Sequence, residues 1–208
     1  MPIAKEGIPF VTIPLILSII SFIFPLKPLA ILFLIVSLFM VFFFRDPLRK
    51  SPIKENVLLS PADGKIIEMK EEEDEILPGK EFFKISIFMS PLNVHINRAP
   101  LKGRVEKVIY RPGYFKPAYK EESRRNEQNI ILMETERGKI IIKQIAGIIA
   151  RRVVCSLKEN QEVKAGDKIG MIIFGSRVEL FLEKKPNLEV NVGEKVKGGE
   201  TIIGEFYD

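Results

Sequence analysis

Residues 130–145 read IILMETERGKIIIKQI: two β-branched runs on either side of a polar break that carries Gly138. Each run has the length of a strand, and the composition favours a pleated, buried surface, so strands are expected over Ile130–Thr135 and Lys139–Ile145. The same texture extends in both directions, with further candidate strands at Gly64–Met69, Phe82–Phe88, Gly103–Tyr110, Arg151–Cys155, Lys168–Ile173, Val178–Leu182 and Thr201–Phe206. Turn residues part them, and no amphipathic helical stretch interrupts the series. That pattern predicts an all-β sandwich or barrel over residues 51–208. EEEDE (71–75) reads as a solvated hairpin connection, and KPAYKEESRRNEQN (116–129), polar and highly charged, as a mobile loop.

A weak internal echo narrows the class. VKAGDKIG (163–170) and VNVGEKVKGGETIIGEF (190–206) both set Val and Gly before a charged turn that leads into an Ile-rich strand. This cadence is common in barrel-sandwich folds, and two copies fall short of a solenoid.

Residues 1–50 have a different texture. A charge-free run from Gly7 to Leu26 is broken at Lys27 and resumes from Pro28 to Phe44. Each arm approaches the length of about 20 residues that crosses a hydrocarbon core. Pro25-Leu26-Lys27-Pro28 suits a turn, because proline interrupts the helical ladder and restricts its predecessor. A hydrophobic helical hairpin acting as a membrane anchor is therefore expected, ahead of a single tilted span. Lys5 precedes it and Arg45, Arg49, Lys50 and Lys54 follow, which places both ends and the β domain on the cytoplasmic side of the cell membrane. A cleaved signal peptide fits badly, since the apolar stretch is too long and no small-x-small site follows.

Composition excludes several functions. Cys155 is the only cysteine and His95 the only histidine, so an intrachain disulfide, a structural zinc site and a histidine-rich metallohydrolase have no residues to build them. The net charge of +5 suits anionic lipid or nucleic acid equally. The basic residues alternate with Glu and lack a stacking-aromatic pattern, so no nucleic-acid partner is expected.

Three places carry residues suited to chemistry. Gly175-Ser176, between two apolar runs, reads locally as an ordinary turn. It is also the pairing that backbone self-cleavage needs, since Gly offers no Cβ to obstruct attack on its carbonyl. His95 stands between two prolines beside Asn93, Asn97 and Arg98, a density of polar groups that implies a polar pocket. Asp63-Gly64 reads first as a hairpin turn.

In combination these segments resemble the phosphatidylserine decarboxylase family, in its short bacterial and archaeal branch. Five blocks carry the resemblance: FFFRDPLRKSP (42–52), LLSPADGKI (58–66), FMSPLNVHINRAP (88–100), YRPGYFKPAYKEESRRNEQN (110–129) and FGSRVELFL (174–182). The resemblance implies a zymogen cut between Gly175 and Ser176. A β chain, 1–175, would keep the anchor, and an α chain, 176–208, would begin with a covalent pyruvoyl group made from Ser176. The two would stay associated, and further copies could join a homo-oligomer. The pyruvoyl would serve as the electron sink for decarboxylating a serine-headed phospholipid, diacyl or archaeal ether, to its ethanolamine product, with no metal and no pyridoxal phosphate. His95 matches the histidine that protonates the substrate carbanion, and Asp63 the carboxylate of the self-cleavage triad. The triad histidine of longer relatives is replaced by Arg98, which cannot act as an ordinary base. Asp63 alone, His95 in both stages, or Arg98 as an oxyanion donor beside Asn97 remain open for self-cleavage.

The rival from another class is a membrane-tethered carrier or adaptor module without catalysis. A carrier needs a modifiable lysine, usually beside methionine, and Met69-Lys70 is the nearest approach. An adaptor needs a long heptad-patterned hairpin, which is missing.

Overall fold

The computed structural model describes residues 2–52, 54, 56–117, 125–147, 152–173 and 176–207. The chain divides into two compact units, Met1–Leu48 and Arg49–Asp208.

In the first unit, α1 (Ile8–Ile23) and α2 (Lys27–Phe43) form the expected helical hairpin. Each starts with a proline in its first turn, where the missing N–H leaves no bond unmade. Ser18, Ser21, Ser37 and Ala30 are buried, while Ile13, Ile16, Ile19, Phe22, Ile35 and Leu38 face outward. Small residues let the helices approach, and Ser18 Oγ donates to the Ala30 carbonyl at 2.8 Å, Ser37 Oγ to that of Val11 at 3.0 Å. Hydrogen bonds from Ala4 N to the Phe44 carbonyl and from Asp46 N to that of Pro2 close the open end. Lys5–Ile23 is long and apolar enough to cross a membrane, and Lys27–Phe43 is shorter.

The second unit is all β. Its described strands are β1 (Val57–Leu59), β2 (Gly64–Glu73), β3 (Glu81–Met89), β4 (Ile96–Arg98), β5 (Gly103–Arg111), β6 (Gln128–Thr135), β7 (Gly138–Ala146), β8 (Arg152–Cys155), β9 (Glu162–Val163), β10 (Lys168–Ile173), β11 (Ser176–Leu182), β12 (Asn187–Leu188), β13 (Lys195–Val196) and β14 (Ile202–Glu205). An eight-stranded antiparallel sheet runs in the order β13-β2-β3-β11-β7-β6-β5-β9, and two three-stranded sheets, β1-β14-β12 and β4-β10-β8, accompany it. The expected strands are present, with ends that differ by up to four residues. β1, β4, β9, β12 and β13 are additional, and each is too short to show a period.

β11 lies inside the large sheet, paired with β3 from Ser176↔Met89 to Leu182↔Phe83 and with β7 from Ser176↔Ala146 to Leu182↔Ile140. Side chains alternate along a strand. Val178, Leu180 and Leu182 join the main core with Ile85, Ile87 and Ile142, whereas Phe181 joins a smaller cluster with Phe82, Ile130, Leu132 and Ile141. The runs Ile130–Met133 and Ile140–Ile142 are apolar at consecutive positions because β6 and β7 are covered on both faces.

Two expectations are corrected. Glu71–Glu73 are not a connection: they continue β2 opposite β3, with Glu71 and Glu73 exposed and Glu72 half-buried, while Asp74 is buried against Lys143 Nζ at 2.5 Å. Lys84 draws in Glu72 and Lys143 draws in Asp74, which composition alone does not reveal. In 116–129, Asn126–Asn129 are buried and Gln128 opens β6, while 118–124 lie outside the described residues.

Candidate active site

Ser176 is the first residue of β11 and is fully buried. Gly175, its expected cleavage partner, lies outside the described residues. Ser176 Oγ donates to Met89 Sδ at 3.3 Å, across the β3 pairing. Asn97, on β4 and also fully buried, donates from Nδ2 to the same sulfur at 3.6 Å. On β7, Gln144 donates from Nε2 to Asn97 Oδ1 at 2.8 Å. A thioether has no proton to give, so the sulfur sets the orientation of both amides in turn. Asn97 must turn its nitrogen to Met89, Gln144 must turn its nitrogen to Asn97, and Gln144 Oε1 is left as an acceptor. That oxygen is buried and accepts no hydrogen bond among the described residues.

Gly170 makes room for this arrangement. A Cβ there would come within 2.1 Å of the Val154 carbonyl and 2.9 Å of Gln144 Nε2.

His95 is fully buried just before β4, with Nδ1 at 2.9 Å from the Asn93 carbonyl and its own carbonyl accepting from Ile172 N. A carbonyl only accepts, so Nδ1 carries the proton and Nε2 is the basic nitrogen of the neutral ring. Asn97 lies two residues further along the same extended segment, and this periodicity puts it on the side His95 occupies. Arg98 Nη1 donates to the Gly166 carbonyl at 2.9 Å. Burial pushes the Cys155 thiol up, so the one cysteine is a poor nucleophile.

Asp63 stands in a different set. Its carboxylate takes both bonds of Arg49 Nη2, at 2.9 and 2.7 Å, and accepts from Gly198 N at 2.8 Å. Arg49 also reaches Glu200 at 3.1 Å. Asp63 precedes β2, which is two strands from β11, a backbone separation of about 10 Å. The structure thus joins Ser176 and Asn97 through Met89, and ties Asp63 to Arg49 and the turn before β14. Met89, Gln144 and Arg49 were not singled out from the sequence. Gln144 had a readable signal, a neutral amide inside an isoleucine run; the role of Arg49 depends on Asp63 and Glu200, which lie 14 and 151 residues away along the chain.

Among the described residues no group of His, Cys, Asp or Glu is placed to hold a metal ion. The β core thus keeps one serine hydroxyl away from water and orders two neutral amides through the same sulfur. Residues 36–204 match the family described as phosphatidylserine decarboxylase. The chain is 42% identical over 208 residues to the phosphatidylserine decarboxylase proenzyme of Desulfotalea psychrophila, covering 99% of this chain and 97% of that one. It is 46% identical over 205 residues to the protein of the same name from Geotalea uraniireducens, covering 98% and 96%, and 46% over 208 residues to that of Syntrophus aciditrophicus, covering 98% and 97%. The chain belongs to the phosphatidylserine decarboxylase family, and it is a decarboxylase.

Proposed function

We propose that the chain removes carbon dioxide from the serine headgroup of phosphatidylserine, leaving phosphatidylethanolamine, after cutting itself before Ser176. The same chemistry would serve an ether-linked archaeal serine lipid, since the headgroup is shared. The observation that carries the reading is Ser176 itself: a buried hydroxyl at the very start of a central strand, hydrogen-bonded to a sulfur that cannot compete for its proton. In the cleavage, Oγ attacks the Gly175 carbonyl carbon and the peptide bond becomes an ester. Elimination then releases the Gly175 carboxylate and leaves dehydroalanine, which takes up water and loses ammonia to give the pyruvoyl. That group supplies the electron sink that decarboxylation requires.

The surrounding residues suit it. Gln144 Oε1 offers a buried acceptor for the substrate ammonium, which would satisfy an atom that otherwise costs stability. His95 Nε2, the basic nitrogen, takes up a proton and delivers it to the carbon that loses carbon dioxide. Asp63, oriented by Arg49, promotes the cleavage, and Arg98 and Asn97 fix the segment that carries His95. The apolar hairpin supports a place at the cell membrane, with the basic flank on the cytoplasmic side.

Intact mass of the purified full chain, paired with carbon dioxide release from phosphatidylserine, tests the proposal. Two fragments, the smaller beginning at residue 176 with a blocked terminus, are expected, and Ser176→Ala should stay whole and inactive. A Ser176→Ala protein that still separates into two chains would sink the reading. In the same time course Asp63→Ala should accumulate precursor, while His95→Ala should cleave but turn over about 10²–10⁴-fold more slowly. Equal precursor accumulation in both would show that one histidine serves both stages.

A further inference from the structure

We infer that the end of the eight-stranded sheet where β11 begins docks directly on a bilayer surface, through two stiff apolar tips that flank Ser176. The choice of partner rests on the proposed lipid substrate; the geometry is independent of it. β3 ends at Met89, β5 at Arg111 and β7 at Ala146, and β6 and β11 begin at Gln128 and Ser176, all at this one end. The first tip follows β3. Pro91-Leu92 crown a turn in which Ser90 N and Ser90 Oγ both donate to Asn93 Oδ1 at 2.8 Å and Asn93 N returns to the Ser90 carbonyl at 2.9 Å. Leu92 at its crest is 65% exposed, and the Asn93 carbonyl holds His95.

The second tip follows β5. Tyr114 and Phe115 are 65% and 38% exposed, yet their backbone is pinned. Tyr114 N donates to the Arg125 carbonyl at 2.9 Å, and Glu127 N to the Tyr114 carbonyl at 3.1 Å. Buried Asn126 accepts from Lys116 N at 2.9 Å and donates to the carbonyls of Lys116 and Ala146, each at 2.7 Å. Ala146 is the strand partner of Ser176. Gly113 permits the close crossing, since a Cβ there would lie 2.3 Å from the Arg125 carbonyl.

Large apolar side chains held outward on a hydrogen-bonded frame cannot fold back to cover themselves. Loose tips could shelter from water; these are kept ready for an apolar medium. The kind of medium follows from their company. Lys116, Arg125 and Arg152 stand at the same end, and a tyrosine with lysine and arginine around leucine and phenylalanine is the composition of a membrane–water interface. A phospholipid headgroup bound near Ser176 would meet the protein at this end without leaving its leaflet.

The chain contains no tryptophan, so a single introduced one reports its own surroundings. Leu92→Trp, Phe115→Trp and Glu136→Trp are each prepared in the full chain and inserted into phosphatidylserine vesicles containing phosphatidylcholine with brominated acyl chains. Glu136, in the β6–β7 turn at the opposite end of the sheet, has a side chain 84% exposed and serves as the control. A blue shift and loss of emission at positions 92 and 115, with neither at 136, are expected. Emission at 92 and 115 that is unquenched, or quenched no more than at 136, overturns the inference, even where carbon dioxide release shows the decarboxylase reading to be right. Quenching confined to 92 and 115 supports docking even if no carbon dioxide is released.

Discussion

The two faces of the eight-stranded sheet solve the problem of buried polarity in opposite ways. On one face Lys84, nearly sealed from solvent, sits 3.0 Å from Glu68, 3.0 Å from Glu72 and 3.3 Å from Glu179. Arg177 lies 3.0 Å from the same Glu179, and Lys143 takes Asp74. A cavity of about 330 Å³ opens among Glu72, Asp74, Lys84, Lys143, Glu179 and Phe181. On the other face, one residue along β11, Ser176 has a sulfur and two neutral amides in its hydrogen-bonded set. Full charges survive burial only when they compensate one another, so the first face is densely paired. Neutral groups tolerate a spare acceptor such as Gln144 Oε1, at the cost of one desolvated oxygen. Alternation along β11 thus sets the Ser176 hydroxyl beside neutral partners while its neighbour Arg177 enters the network of ions.

Three substitutions test this contrast. The largest effect on folding should come from Lys84→Met, which leaves Glu68, Glu72 and Glu179 without their shared cation. A loss of about 3–5 kcal/mol is expected in denaturant unfolding, and a change below about 1 kcal/mol would mean the ions are solvated after all. Met89→Leu conserves volume on the opposite face, so stability should shift by less than about 1.5 kcal/mol. It removes the acceptor of Ser176 Oγ, and chain separation should slow by about two- to tenfold, the worth of one neutral hydrogen bond. Unchanged cleavage kinetics would show that the sulfur does not position the hydroxyl.

The smallest effect concerns acid. Burial pushes Glu68 up, but hydrogen bonds from Lys70 and Lys84 outweigh it and hold its carboxyl at about 2, against an ordinary 4.5. A depressed folded value means stability that is full above the unfolded value and declines as pH falls from about 4.5 toward 2. Glu68→Gln should lower the unfolding midpoint modestly near neutrality, the side chain being partly exposed, and leave it little changed near pH 2, so that the slope across that window flattens. An acid slope identical to that of the parent chain would remove Glu68 from the network.

The main strands were legible because Ile130–Met133 and Ile140–Ile142 are covered on both faces, which leaves an unmistakable apolar run. The short strands β4 and β13 were not, since two or three residues carry no period. Glu72 and Asp74 misled because their burial depends on Lys84 and Lys143, lysines that local composition cannot locate. At the site, Ser176, His95 and Asn97 stood out by their chemistry. The bond from Ser176 to Met89 is a matter of strand register, and register is invisible until the sheet is assembled.

The position of β11 has a consequence for the lifetime of the molecule. Both its neighbours grip it from the first residue to the last. Under the proposed cleavage, the piece that starts at Ser176 would therefore have its first strand woven into the middle of the fabric, with no free side from which that strand could peel away. A reactive group carried on that residue, as proposed, would not be exchanged as a dissociable coenzyme is. Once spoiled by a stray reaction it would be spoiled for good, and renewal would mean synthesis of a new polypeptide.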